Sequence, residues 1–181
     1  MKNTKKLILI ALAVAINIAG SKLALFFSIP LFLDSIGTML AATILGPVGG
    51  AGAALVGGLI SGALGDVYAI YFAPSSMIMG IIAGFLLHNK KTTIFSMTWK
   101  TFLIVLPGSA LTAIISTILF SGVTSSVWAT VSIAALSHSI LSLFASSFLI
   151  QIVTDYFDKL LAVFLVHTAY KHLPEDLKHF N

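Results

Sequence analysis

At 181 residues, 58% of them hydrophobic and 9% charged, the chain has a mean hydropathy of +1.06 and too little polar side-chain surface to cover a water-soluble globule. Its net charge of +4 comes from ten lysines, with no arginine, against six acidic residues, and it has no cysteine. This composition excludes disulfides, thiol catalysis and cysteine-ligated zinc. It leaves no bidentate clamp for phosphate or carboxylate, and marks an integral membrane protein whose lysines set orientation rather than bind nucleic acid.

Residues 7–27 read as a first helix, retained in the membrane rather than cleaved as a signal peptide, because everything downstream is also apolar. Pro30 breaks the chain, and residues 28–34 make a short connection. A second helix covers 35–45 and a third 47–64, separated by Leu45-Gly46-Pro47. No charged residue lies between Asp34 and Asp66, and two rows of small residues run at a spacing of four. One is Gly46, Gly50, Ala54, Gly58 and Gly62; the other is Gly49, Ala53, Gly57, Ser61 and Gly65. In water each glycine would cost a helix about 1 kcal/mol relative to alanine. In lipid the same residues let helix backbones approach closely.

A polar turn with Asp66, Tyr68 and Tyr71 is expected next. A fourth helix then follows Pro74, with Ser75 and Ser76 near its start, and ends at His88-Asn89-Lys90-Lys91. A fifth covers 98–120, kinked at Pro107-Gly108. Residues 127–150 and 156–170 are both apolar enough to cross. Lys2, Lys5, Lys6, Lys90, Lys91, Lys100, Lys171 and Lys178 should share the cytoplasmic side, so residues 121–170 cross an odd number of times. The economical arrangement is six transmembrane helices with both termini cytoplasmic, part of 127–147 lying at the outer surface or filling the bundle mouth. The whole chain, 1–181, then forms one substrate-binding membrane domain.

Polar residues in apolar surroundings are the functional candidates. Gln151, Thr154, Asp155, Asp158 and Lys159 form one group, expected in the outer part of the last helix. Asp155 and Lys159 are four apart and can neutralise each other across a turn, either as a structural pair or as the charged wall of a pocket. Asp34 is placed to cap the second helix, Asp66 to be solvated, and Asn17 to donate a hydrogen bond between helices. Tyr68, Tyr71, Trp128 and Tyr156 form an interfacial belt or a stacking site for a planar heterocycle. His138 is either a ligand contact or a satisfied structural histidine. The remaining histidines lack metal-ligand spacing, so no metal site is expected.

Three features together make the chain similar to the S component, or substrate-capture subunit, of an energy-coupling factor (ECF) vitamin transporter. They are the small-residue row Ala11, Ala15 and Ala19, the run Leu31-Phe32-Leu33-Asp34-Ser35-Ile36-Gly37 leading to Leu45-Gly46-Pro47-Val48-Gly49-Gly50, and Asp158-Lys159-Leu160-Leu161-Ala162-Val163 ending in Leu173-Pro174. The resemblance implies six helices in a bacterial cell membrane and vitamin binding near the outer face without catalysis. It also implies delivery by toppling against the transmembrane coupling protein EcfT, with two cytoplasmic ATPases consuming ATP and Mg. This chain would carry no cofactor. Ala11, Ala15 and Ala19 would dock the coupling protein and the segment before the second helix would form a lid. Asp34, Tyr71, Ser75, Trp128, His138, Asp155, Asp158 and Lys159 would bind substrate. A neutral heterocycle such as pyridoxine or hydroxymethylpyrimidine is favoured, with pantothenate, another vitamin, or a stand-alone secondary transporter as alternatives.

Overall fold

A computed structural model describes residues 2–90, 92–139 and 141–173. Lys91, Pro174 and Lys178 lie outside the described residues. Those residues form seven helices and no strand: α1 (Lys2–Phe26), α2 (Ile36–Leu45), α3 (Pro47–Ala63), α4 (Val67–Leu87), α5 (Ile94–Phe120), α6 (Val127–Ser139) and α7 (Leu143–His172).

The polarity is inside out. Leu7, Phe26, Phe85, Phe95, Ile118 and Val131 are exposed, whereas Ser109, Thr112, Ser116, Ser147, Gln151, Asp155, Asp158 and Lys159 are buried. Such a surface suits lipid, and the chain is a multi-pass membrane protein. Helices α1, α4 and α5 are long and apolar enough to cross a bilayer; α2, α3 and α6 are apolar but shorter. The 10 residues of α2 rise only about 15 Å, half of a hydrocarbon core. The 30-residue α7 is long enough but carries three charges in its middle.

The two glycine rows divide the packing of α3. Gly50 lies backbone to backbone with Gly80 of α4, where an added Cβ would run into the Gly80 carbonyl. Gly58 and Gly62 of the same row meet Ala73 and Ile70 of α4, while Gly57 of the other row faces Asn17 of α1. Gly37 performs the same service between α2 and α1, against the Ala13 backbone. This close approach holds α3 against α4 and α2 against α1 where side-chain burial has little driving force.

Four expectations are corrected. Pro74 does not begin α4 but sits inside it, so Tyr68 and Tyr71 are helical rather than in a turn; prolines are tolerated within membrane helices because surrounding groups re-satisfy the backbone. Helix α5 begins at Ile94, not 98, because Thr93 and Ser96 form a reciprocal cap. Asp34 does not cap α2. Ser35 is the N-cap residue without a side-chain capping bond, and Asn17 of α1 instead accepts from the Gly37 and Thr38 amides, at 2.7 and 3.3 Å, while donating to Thr38 Oγ1. Finally, α7 starts at Leu143, so Asp155 to Lys159 lie near its midpoint rather than in its outer part. Helix α6 is a separate 13-residue element packed against α7.

Met39, Ala42, Met79, Ala83, Leu87, Met97, Ile104, Ala162, Val163 and Val166 pack into an apolar core contributed by α2, α4, α5 and α7. Met39 and Met79 form the boundary between this plug and a cavity at the other end of the bundle.

Candidate substrate cavity

The cavity, of about 380 Å³, opens beside the α1–α2 connection and is lined by all the helices, α6 contributing Val127 and Trp128. Its wall mixes Leu25, Ile29, Phe32 and Phe72 with Asn17, Ser21, Ser61, Ser75, Ser76, Thr112, Gln151, Asp155 and Lys159. A few converging polar groups in an apolar hollow are the usual make-up of a small-molecule site.

Its charged floor is built around Lys159. The ammonium lies 3.0 Å from Asp158 Oδ2, 3.2 Å from Asp155 Oδ1 and 3.6 Å from Asp34 Oδ1, and 5.7 Å from the centre of the Phe32 ring. An ammonium has three protons, and three carboxylates surround this one. The carboxylates are bound in turn. Asp155 Oδ2 accepts from Ser109 Oγ of α5 at 2.6 Å, Asp158 Oδ1 from the Leu33 amide at 2.7 Å, and Asp158 Oδ2 from Ser35 Oγ at 3.0 Å. Asp34 makes the longest of the three ion pairs, and its side chain is 45% exposed.

Asp158 thereby fastens the α1–α2 connection across 125 residues of sequence. The other end of that connection is held at the mouth, where the Trp128 indole N–H donates to the Ser28 carbonyl at 2.9 Å. Both fastened residues have left-handed backbone, Ser28 at φ 52° and Leu33 at φ 51°. That conformation costs a non-glycine residue about 1–2 kcal/mol; at Ser28 it closes α1, the Ile29 and Ser28 amides donating to the Ala24 and Leu25 carbonyls, and at Leu33 the bond to Asp158 offsets it.

One wall group has no partner. Gln151 is 1% exposed, and neither its amide oxygen nor its amide nitrogen is hydrogen-bonded within the protein. Leaving both ends of a buried amide unsatisfied is unfavourable by roughly 1–3 kcal/mol per group, unless something else enters.

Of the residues expected to bind substrate, Asp34, Ser75, Trp128, Asp155 and Lys159 lie on the cavity wall. Asp158 lies behind it, 1% exposed and turned to the loop. Tyr71 does not line the cavity: it is 47% exposed, its ring packing edge-on against Phe120 at 5.2 Å, because α4 continues straight through the expected turn. His138 is also elsewhere, at the end of α6 in a separate hollow with Ser121, Thr130 and Ser142. Asp66, expected to be solvated, lines the cavity and accepts from Ser125 Oγ at 3.1 Å. Ala11, Ala15 and Ala19 are exposed along one side of α1, whereas Ala13, Val14 and Asn17 are buried.

A family model for the S component of ECF-type riboflavin transporters matches residues 1–172. The chain belongs to this family. It is a vitamin-capturing subunit of an ECF transporter, a transport protein rather than an enzyme. No curated protein and no solved structure matches the chain. In this S component, Gln151 and Asp66 are the wall residues the expected site omitted. Gln151 stands in sequence one turn before Asp155, a spacing that puts both on one helical face.

Proposed function

We propose that this S component captures a neutral nitrogen heterocycle in the cavity, and that riboflavin is the vitamin it fits best. The carrying observation is Gln151, a buried amide at the wall with a free donor and a free acceptor. A ring carbonyl beside a ring N–H, the edge a flavin presents, matches both once the amide, now covered, turns to the cavity. Membership of the riboflavin S-component family supports the same compound, and the hydroxyls of Ser21, Ser61, Ser75 and Ser76 suit a polyol chain. Pyridoxine and hydroxymethylpyrimidine, favoured on the sequence, meet the amide equally well but leave much of a 380 Å³ cavity unfilled. Pantothenate is disfavoured, because its carboxylate would approach a lysine already enclosed by three carboxylates.

Titration of the detergent-purified protein with all four compounds tests this reading; tightest binding of pantothenate would overturn it. Gln151→Leu should weaken riboflavin binding by about ten- to a hundredfold while the melting temperature holds or rises, since the amide has no protein partner to lose. Undiminished affinity would remove Gln151 from the site.

Delivery, in this reading, requires EcfT, docked on Ala11, Ala15 and Ala19, and two cytoplasmic ATPases supplying ATP hydrolysis in a bacterial cell membrane. Six crossings with both termini cytoplasmic place the cavity mouth outside, supported by Lys5, Lys6, Lys90 and Lys171 at the opposite end of the bundle. Single cysteines at Asn89 and His172 should be protected from an impermeant thiol reagent in intact cells, and one at Ser125 should react. Labelling of His172→Cys from outside would refute the topology. Co-purification separates this reading from a stand-alone secondary transporter, which would need neither partner.

A further inference from the structure

The acidic residues of this chain are not scattered. Of six, Asp34, Asp66 and Asp155 line the cavity and Asp158 lies directly beneath; Glu175 and Asp176 complete the count outside the described residues. Among the described residues Lys159 is the only lysine on the wall, and its protons face carboxylates. A chain with net charge +4 therefore encloses a cavity where four carboxylates oppose one ammonium. The unpartnered amide of Gln151, 1% exposed, marks the same cavity as a place where a ligand sits.

We propose that the cavity is a charge filter: it admits neutral and cationic ligands and rejects anionic ones, including the phosphate ester of the vitamin it binds. This rests on the reading of the cavity as the capture site. The physical reason is focusing. Low-dielectric helix walls confine the field of the uncompensated carboxylates to the opening, where a cleft of one sign changes the local concentration of small ions by about tenfold or more. No arginine exists to receive a phosphate, and the lysine that could is already saturated. Asp34 and Asp66 set the sign at the entrance. Asp34 is the half-exposed member of the cluster, and Asp66 is bound only through Ser125.

Trp128 reports on this field without any vitamin. It lines the mouth, and with Trp99→Phe it is the sole tryptophan. In neutral detergent at constant ionic strength, with each ion's efficiency taken relative to its quenching of free N-acetyltryptophanamide, caesium should quench its fluorescence at least about threefold more efficiently than iodide. Asp34→Asn with Asp66→Asn, which preserves size and hydrogen-bond acceptance, should bring the two ions close to parity. Riboflavin should bind at least about tenfold more tightly than riboflavin 5′-phosphate to the parent protein, and the gap should shrink in the double variant. Equal quenching by the two ions, a preference untouched by the double substitution, or equal binding of vitamin and phosphate ester would each overturn the filter. Preferential caesium quenching in a protein that binds none of the vitamins would uphold the filter and refute riboflavin capture instead.

Discussion

Lys159→Met should lower the melting temperature of the purified protein by on the order of 10 °C and abolish ligand binding along with it. The substitution keeps much of the aliphatic stem but removes the ammonium from between Asp34, Asp155 and Asp158, two of them almost fully buried. Breaking a buried ion pair from one side costs about 3–5 kcal/mol, because the remaining charge is desolvated and unopposed. In a chain of this length each kcal/mol corresponds to about 2–4 °C. Asp34→Asn should be far milder, since its pair is long and half-exposed and Lys159 retains two partners. Thermal melts of both variants decide the matter. A Lys159→Met protein that melts normally but fails to bind would show the lysine serving ligand rather than fold, the role an isolated reading of Asp155-x-x-x-Lys159 leaves open.

The same residue links the floor to the α1–α2 connection. Asp158 accepts from Leu33 and Ser35 while it neutralises Lys159, so the conformation of the α1–α2 connection depends on a charge seven residues before the end of the apolar core at Val166. Leu33 holds left-handed backbone where its amide donates to Asp158, whereas the left-handed Ser28 closes the end of α1. Loss of the ammonium should therefore weaken both the packing of α5 against α7, through Asp155 and Ser109, and the anchoring of the α1–α2 connection through Asp158.

Membrane character, the small-residue hairpin and the family were legible because they rest on composition, a spacing of four and local runs. Asn17 was legible as an interhelical donor, since an amide within a membrane helix needs a partner. Its role at the start of α2 was not, because the bond joins residues 20 apart through a close approach that only Gly37 permits. For the same reason Asp34, the local choice, was wrongly expected to cap. Pro74 and the start of α7 were misplaced because rules for proline and apolar breaks come from water, where neighbouring helices do not supply the missing bonds. Tyr71 and His138 have the chemistry of ligand contacts, but the direction a side chain points depends on helix phase, and continuing α4 through Pro74 turned Tyr71 onto Phe120. Gln151 was noticed within its cluster but not assigned to the site. Its importance is an unsatisfied amide, a property that only three-dimensional packing creates.

The other large effect should come from the opposite surface. Ala15→Trp should eliminate co-purification with the coupling protein and reduce vitamin uptake to background, while the isolated subunit binds its vitamin with unchanged affinity. Ala15 is exposed between Ala11 and Ala19 on α1, and the residues facing the bundle at that level are Ala13, Val14 and Asn17. A tryptophan there points away from the fold and meets no internal neighbour, so the subunit's own packing is untouched. Helix association in lipid relies on close van der Waals contact, and a small-residue row permits backbones to approach only while every member stays small. Overpacking a tight contact costs about 1–3 kcal/mol even when the neighbours relax, and an indole inserted into an alanine row keeps the helices apart along its whole length. Pull-down through tagged partner, uptake in cells and titration of the isolated subunit separate the outcomes. A variant that still assembles but no longer binds would mean that the row faces the substrate path, and the docking surface would have to be sought on another helix.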